Sequence, residues 1–242
     1  MRASLARLCA VAVIAAALPT LAAAGGSLKD APYQPLPQTT WSGPYIGAHV
    51  GYAWGSADVT DITGGVPPGP FGYDPDGVLA GGTLGYNWQM DQFVVGVEGD
   101  LGYMDLSGSG RIPSSNPAAF QAITLDGGLY AVIAGRLGVT FGSTMIYGKA
   151  GWAYFDGEAG QKTTNPGYVT NPTGAFSGAV YGGGIEHFIS KGISLKVEYL
   201  HFNFGSQGGN QTSVSDPPIG FVYTNKTDLT ADSVKVGMAV HF

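Results

Sequence analysis

The chain has 242 residues, of which 40 are glycine, and 12% of its residues are charged and 12% aromatic. The formal net charge of −6 excludes the basic surface that nucleic-acid-binding proteins need, so nucleic acid is not an expected partner. The aromatic content excludes a disordered chain, and abundant glycine beside many apolar residues favours a protein of many strands and turns.

Residues 1–24 are predicted to form a secretory signal peptide. Arg2 and Arg7 precede an apolar run at 8–18, and the small residues at 22–24 supply a cleavage site near Ala24. A membrane anchor is the alternative, but this run is shorter than the roughly 20 residues that a helix needs to cross a bilayer. The single cysteine, Cys9, lies in this segment, so the exported protein is expected to contain no disulfide.

Residues 25–42 contain three prolines and show no hydrophobic periodicity. Such a segment favours an extended conformation, and we interpret it as a periplasmic leader. The remaining residues, 43–242, are predicted to form one barrel domain.

Eight segments of this domain alternate between apolar residues and polar residues or glycine, which is typical of β-strands. Each is close to the length of about 9–11 residues that a tilted strand needs to cross a membrane. The predicted strands lie near 44–54, 78–90, 92–104, 128–141, 144–155, 178–190, 193–203 and 232–242.

The connections between these strands alternate in length. The second, fourth and sixth strands are followed by tight turns, whereas long polar links lie near 55–77, 105–127, 156–177 and 204–231. Outer-membrane barrels show this pattern, with the short turns in the periplasm. The sequence therefore predicts an all-β fold: an eight-stranded antiparallel up-and-down transmembrane β-barrel with short periplasmic turns and long extracellular loops.

The two faces of the predicted strands differ in chemistry. One face carries bulky apolar side chains such as Val95, Leu137 and Val236, and no Asp, Glu, Lys or Arg. The other face is rich in glycine and carries the charges. An eight-stranded barrel has an interior just wide enough to be filled by side chains, so the bulky face is too large to point inward. We therefore expect lipid against the apolar face and the charged face in the lumen.

Aromatic residues cluster at the strand ends, where amphipathic rings favour the two membrane–water interfaces. The alternative is that aromatic residues simply favour strands, but strand propensity does not explain clustering at the ends. The predicted interface aromatics are Tyr52, Trp54, Trp88, Phe93, Tyr103, Phe141, Trp152, Tyr154 and Tyr199.

The predicted lumen charges balance, because four acids face four bases. They are Glu98, Asp100, Arg136, Lys149, Glu186, Lys196, Glu198 and Lys235. An unpaired buried charge is costly, so we expect a paired network that closes the barrel. The expected pairs are Glu98 with Arg136, Lys149 with Glu186, and Glu198 or Glu186 with Lys196 and Lys235. The competing interpretation is a polar lining that tunes ion selectivity in a pore.

The sequence contains no recognisable set of convergent catalytic residues. The histidines are His49, His187, His201 and His241, and no base, orienting acid and nucleophile meet at one mouth of the predicted barrel. "DPDG" at 74–77 lacks the spaced carboxylates of a calcium loop and favours a turn. We expect no enzyme activity, cofactor or metal.

Several stretches resemble the small outer-membrane β-barrel proteins of alphaproteobacteria, which are porin-like surface proteins, often immunogenic, with a barrel similar to the OmpA transmembrane domain. These stretches are "WSGPYIGAHVGYAWG" (41–55), "FVVGVEGDLGYMDL" (93–106), "GRLGVTF" (135–141), "YGKAGWAY" (147–154), "YGGGIEH" (181–187) and "LKVEYLHFNFG" (195–205). The resemblance covers about residues 41–242. It implies residence in the outer membrane of a Gram-negative bacterium, in contact with lipid and lipopolysaccharide.

The final strand, which ends on Phe242, resembles the signal that the barrel assembly machinery recognises. It must also pair with the first strand, because lipid cannot satisfy an open sheet edge. The predicted function is therefore a structural surface protein whose closed barrel anchors loops for envelope integrity, adhesion or host contact, through an unknown surface ligand. The alternatives are a small-solute or ion pore and a soluble periplasmic carrier.

Overall fold

The computed structural model describes residues 40–61, 71–112, 121–163, 168–171, 174–213 and 222–242. The predicted signal peptide and the leader up to residue 39 lie outside the described residues. A membrane-spanning helix is absent from the part of the chain that is described.

Eight long strands correspond to the eight predicted segments, and several of them extend further toward the long connections. They are β1 (Gly43–Asp61), β3 (Asp76–Met90), β4 (Phe93–Met104), β7 (Gly128–Phe141), β8 (Thr144–Phe155), β11 (Phe176–Ser190), β12 (Ile193–Ser213) and β13 (Val222–His241). Their alternation of β-branched or aromatic residues with glycine suits a pleated surface that is buried on one side.

The eight strands close into a barrel in chain order. Every neighbouring pair is antiparallel, and β13 pairs with β1, so that Tyr45 lies opposite His241 and Trp54 opposite Asp232. Closure leaves no open edge in the barrel wall, as a membrane-spanning sheet requires. The predicted eight-stranded antiparallel barrel is confirmed.

Tight turns join three of the hairpins at one end. They lie at 91–92, 142–143 and 191–192, between β3 and β4, β7 and β8, and β11 and β12. Two of these turns use a left-handed glycine, with φ of 62° at Gly142 and 77° at Gly192, and the third uses Asp91 with φ of 53°. Positive φ is what short hairpin turns require, since it matches the twist of the strands.

The long connections at the other end contain strands of their own, which the sequence did not predict. These are β2 (Phe71–Tyr73), β5 (Gly108–Ile112), β6 (Gln121–Asp126), β9 (Glu158–Thr163) and β10 (Tyr168–Asn171). β2 pairs with β1 and β10 with β12, whereas β5, β6 and β9 form a separate three-stranded sheet. Short alternations such as Ile123 and Leu125 in β6 were hidden by the polar composition around them.

The orientation of the two strand faces is as predicted. Leu101, Ile133 and Leu137 on the outside are 65%, 72% and 67% exposed, whereas Glu98 and Arg136 inside are 2% and 1% exposed. A soluble barrel would have the opposite arrangement. The outward face therefore suits contact with hydrocarbon.

The interior holds apolar side chains toward the long-connection end, in addition to the charges. We call this set the outer cluster: Ala53, Ala57, Val59, Tyr73, Leu79, Met104, Leu106, Ile123, Leu125, Tyr130, Val132, Ala134, Ala153, Phe155, Ala159, Phe176, Val180, Leu200, Phe202, Phe204, Leu229 and Ala231. A smaller set, the inner cluster, lies toward the tight-turn end and comprises Trp41, Val94, Met145, Tyr147 and Phe188. The charges lie between the two clusters along the strands.

Candidate functional site

The candidate site is the group of charges enclosed by the barrel wall. Six of the eight strands contribute to it, and each of the predicted lumen charges is at most 3% exposed. Glu98 and Asp100 come from β4, Arg136 from β7, Lys149 from β8, Glu186 from β11, Lys196 and Glu198 from β12, and Lys235 from β13. Because alternate residues share a face, each strand delivers these side chains to the interior without local distortion.

Glu98 is the most connected group of the network. Its carboxylate lies 2.9 Å from Arg136 Nη1, 2.6 Å from Lys149 Nζ and 3.1 Å from Lys196 Nζ. Arg136 and Lys149 lie directly opposite each other on β7 and β8, which would set two cations side by side. The Glu98 carboxylate contacts both and so compensates their repulsion.

Asp100 and Glu198 bind the remaining lysine. Lys235 Nζ lies 3.1 Å from Asp100 Oδ2 and 2.8 Å from Glu198 Oε1. Lys149 Nζ also contacts Asp100 at 2.7 Å and Glu198 at 3.5 Å. Lys149 and Lys235 therefore each bridge two or more carboxylates, and side chains from strands that are not neighbours in the barrel are joined across the lumen.

Glu186 forms the end of the network toward the tight turns. It accepts hydrogen bonds from Arg136 Nη2 at 2.7 Å and from the Ser194 hydroxyl at 2.6 Å, and it lies 3.1 Å from His241 Nε2. Arg136 thus joins Glu98 to Glu186.

Two of the expected pairs are present, namely Glu98–Arg136 and Glu198–Lys235. Lys149 instead pairs with Glu98 and Asp100, and Lys196 with Glu98. The strand register explains the difference, since Lys149 lies opposite Gly182 on β11, whereas Glu186 lies opposite Met145, four residues closer to the tight-turn end.

Several hydroxyl groups that were not predicted from the sequence complete the network. The hydroxyls of Tyr45, Tyr147 and Thr83 donate to Glu98 at 2.7 Å, Glu198 at 2.8 Å and Asp100 at 2.6 Å. The Arg136 guanidinium lies 4.4 Å from the Tyr147 ring centroid and 5.2 Å from that of Tyr45, within cation–π range. Their positions in the sequence could have identified Tyr45, Thr83 and Tyr147, because each of them lies on the same alternating strand face as the charges.

His49 lies inside the barrel wall, as expected from its face. Its ring contacts the Thr83 hydroxyl at 3.0 Å and also the Tyr130 hydroxyl. It is thus held by two neutral partners at the border between the network and the outer cluster.

The carboxylates of Glu98, Asp100 and Glu198 lie within 4.8 Å of one another, a grouping that could coordinate a cation. The Lys149 ammonium contacts all three, at 2.6, 2.7 and 3.5 Å. A metal ion would have to displace the Lys149 ammonium, so the residues present do not fit a metal. The positive charge that these three carboxylates require comes from lysine instead.

Trp41 lies buried inside the barrel at the tight-turn end. It is 1% exposed, its ring centroid lies 4.1 Å from that of Phe188 and 5.6 Å from that of His241, and its backbone amide donates to Gln89 Oε1 at 2.8 Å. In the sequence this residue falls in the predicted leader at 25–42, for which no contact with the barrel was expected. The last residues before β1 therefore fold onto the barrel.

The predicted interface aromatics all point outward, and each is between 42% and 62% exposed: Tyr52, Trp54, Trp88, Phe93, Tyr103, Phe141, Trp152, Tyr154 and Tyr199. Trp88, Phe93 and Phe141 lie near the tight turns, and the others lie toward the long connections. Phe242 is 75% exposed at the tight-turn end, where its backbone amide donates to Pro44 O at 3.0 Å.

Comparison with known proteins agrees with this architecture. The family described as "Outer membrane protein beta-barrel domain" matches residues 8–242. The 25 kDa outer-membrane immunogenic protein of Brucella abortus is 28% identical over 212 residues, which is 88% of this chain and 84% of that protein. The 22 kDa outer membrane protein of Rhizobium leguminosarum is 29% identical over 221 residues, with 88% and 83% covered.

Among solved structures, the outer membrane protein OprG from Pseudomonas aeruginosa is similar in fold. Its TM-score is 0.50 at 10% identity, with 83% of this chain and 97% of that chain covered. At this identity the similarity concerns the fold alone. The resemblance to small alphaproteobacterial outer-membrane barrels, which the sequence first suggested, is confirmed by the Brucella and Rhizobium relatives.

Proposed function

Since the chain belongs to the outer membrane protein beta-barrel domain family, we propose that it acts in the outer membrane as a closed anchor that holds its long connections at the cell surface. The single observation that carries this proposal is the filling of the lumen. The inner cluster, the charge network and the outer cluster follow one another along the strands, and their members are buried.

A pore is the competing function, and the interior is unfavourable for it. Barrels that conduct through an open lumen have about 16–18 strands, whereas eight strands leave room only for side chains. Here that room contains an ion-paired layer whose cations already have carboxylate partners, so a permeating ion would have to break these pairs. Two apolar layers flank the ion pairs, and such layers oppose the entry of water and ions.

Planar-bilayer recording on the purified, refolded protein tests the closed lumen. We expect no steady conductance above the bare bilayer at any holding potential, with a 16-stranded porin recorded as the positive control. Steady, protein-dependent current steps from correctly folded protein would show that the barrel is a pore and would contradict the closed anchor. Folding of the same sample is checked by its heat-dependent shift in gel mobility.

We assign the surface role to the long connections because binding residues on a rigid scaffold concentrate in loops. The Brucella relatives are named immunogenic, and exposure of this protein at the cell surface would suit envelope integrity, adhesion or host contact. The relatives are named as outer-membrane proteins, and no catalytic role is proposed for this chain.

We further propose that the last strand and Phe242 serve as the signal for the barrel assembly machinery. Phe242 supports this because its side chain is exposed at the periplasmic end beside the β1–β13 seam. Deletion of Phe242 should lower the amount of heat-modifiable barrel in isolated outer membranes. The deletion variant refolded from urea into detergent should still fold, which separates an assembly defect from lost stability.

A further inference from the structure

A polar and aromatic patch lies on the outside of the barrel, where β11, β12, β13 and β1 approach the long connections. Its residues follow one another across the strands: Tyr181 lies opposite His201, His201 opposite Asp232, and Asp232 opposite Trp54. Tyr199 lies on β12 two residues before His201. These five residues are the outer-rim patch.

Direct contacts connect the patch. His201 Nδ1 lies 2.8 Å from Asp232 Oδ1, and the Tyr199 hydroxyl donates to the same oxygen at 2.6 Å. The Tyr181 and His201 rings lie 5.1 Å apart between centroids. Both of these contacts are to Asp232 Oδ1. Because Oδ2 takes part in neither, it can still accept a hydrogen bond from a ligand.

The patch is open to its surroundings at the edge of the apolar band. The side chains of His201 and Asp232 are 26% and 28% exposed, and the outward Val234 and Val236 follow Asp232 on β13 toward the membrane centre. A charged group on the lipid face costs least near the interface, and aromatic rings with a polar edge favour the same depth. Asp232 therefore lies at the level of the lipid headgroups.

The chemistry of the patch fits a sugar. A carboxylate and an imidazole accept or donate hydrogen bonds to hydroxyl and amide groups, and aromatic rings pack against the C–H faces of a sugar ring. The negative charge of Asp232 disfavours direct contact with a lipid phosphate. In the outer leaflet of this membrane, the lipid that presents sugar at this depth is lipopolysaccharide.

We propose that the outer-rim patch binds the amino-sugar headgroup of lipopolysaccharide through direct hydrogen bonds to Asp232 and His201. This site lies on the outside of the barrel and does not depend on whether the lumen is closed. Lipid at this position would be a specific, saturable partner, in contrast to the lipid around the rest of the wall.

Tyr103 offers a matched control at the same rim. It belongs to the same aromatic set, but it lies opposite the apolar residues Ala80 and Leu129. Its ring supplies interfacial contact without the Asp232 carboxylate. Changing it tests whether any rim aromatic would have the same effect.

Native mass spectrometry of the detergent-solubilised protein, titrated with lipid A or with phosphatidylglycerol, tests the proposal. We expect saturable lipid A binding that is weakened about tenfold in Asp232→Asn and His201→Ala, which corresponds to about 1.4 kcal/mol. Tyr103→Ala should bind like the unmodified protein, and phosphatidylglycerol should bind without saturation. Heat-dependent gel mobility verifies that each variant is folded.

Three results would overturn the proposal: equal lipid A affinity in the unmodified protein and Asp232→Asn, equal saturable binding of both lipids, or loss of lipid A binding in EDTA. The last would mean that a divalent cation joins Asp232 to the phosphates of lipid A in place of a direct bond to the sugar. Binding that survives EDTA and falls in both variants supports the direct contact.

Discussion

Arg136 Nη1 and Glu98 Oε2 lie 2.9 Å apart on neighbouring strands, with both side chains withdrawn from solvent. The same guanidinium reaches Glu186 through its other terminal nitrogen at 2.7 Å. One side chain thus holds two acids from β4 and β11 in place. Its removal leaves both carboxylates buried with one partner fewer.

Arg136→Ala should therefore lower the free energy of unfolding by about 3–5 kcal/mol, the usual cost of removing one partner from a buried ion pair. Urea titration of the protein in lipid vesicles, followed by gel mobility, measures this change. Lys191→Ala, in an exposed tight turn, is the matched control and should change stability by less than about 0.5 kcal/mol. Equal midpoints for the two variants would show that the ion pairs do not stabilise the barrel.

Gly85→Ala should be destabilising because the Tyr45 ring packs over this glycine. A Cβ at Gly85 would lie 2.2 Å from Tyr45 Cζ, whereas a Cβ at Gly82 would meet no atom closer than 3.7 Å. Displacing Tyr45 also weakens its hydrogen bond to Glu98, and overpacking of this kind costs about 1–3 kcal/mol.

Gly82→Ala on the same strand is the control for this prediction and should be close to neutral in the same urea titration. If both alanine variants unfold at the same urea concentration, the close packing of the Tyr45 ring does not require a glycine at position 85.

Phe202→Ala should also lower stability, because Phe202 is buried in the outer cluster and stacks on Phe204 at 5.5 Å between centroids. Loss of a buried phenylalanine leaves a cavity that costs about 3–5 kcal/mol. Phe93→Ala is the comparison, since Phe93 is 55% exposed on the outside and leaves no internal cavity. A smaller effect in Phe202→Ala than in Phe93→Ala would argue against a packed outer layer.

Trp41 should be shielded from lipid, unlike the other tryptophans. In a variant in which Trp54, Trp88 and Trp152 are changed to phenylalanine, we expect brominated phospholipid chains to leave the Trp41 emission nearly unchanged. A second variant that retains only Trp88, which is 50% exposed on the outside, should be strongly quenched. Strong quenching of Trp41 would place it outside the lumen.

The strands, their faces and the closed antiparallel order followed from the sequence because a period of two residues fixes which side chains share a face. The same period placed Glu98 and Arg136 in the lumen. It could not assign Lys149 its partners, because long side chains meet across the lumen between strands that are not neighbours, as Lys196 and Glu98 do. Such contacts depend on the stagger of the strands and on the barrel's width.

The outer cluster shows another limit of the sequence pattern. The charged face of β12 continues as Leu200, Phe202 and Phe204, whereas the opposite face there carries the polar residues His201 and Asn203. The alternation is therefore inverted in this part of β12 and no longer marks the lumen as the polar side. Burial of Trp41 was equally hidden, since a single aromatic residue after a proline-rich segment carries no periodic signal.

The seam between β1 and β13 has a consequence for biogenesis. Tyr45 lies opposite His241, so the first strand of the barrel cannot pair with its second neighbour, β13, until the last strand has been synthesised and exported. Pairings between such distant parts of a chain form slowly, and exposed strands aggregate in the meantime. We therefore expect the polypeptide to cross the periplasm before its barrel has closed. A shortage of periplasmic chaperones should then deplete this protein before it depletes proteins whose neighbouring segments fold on their own.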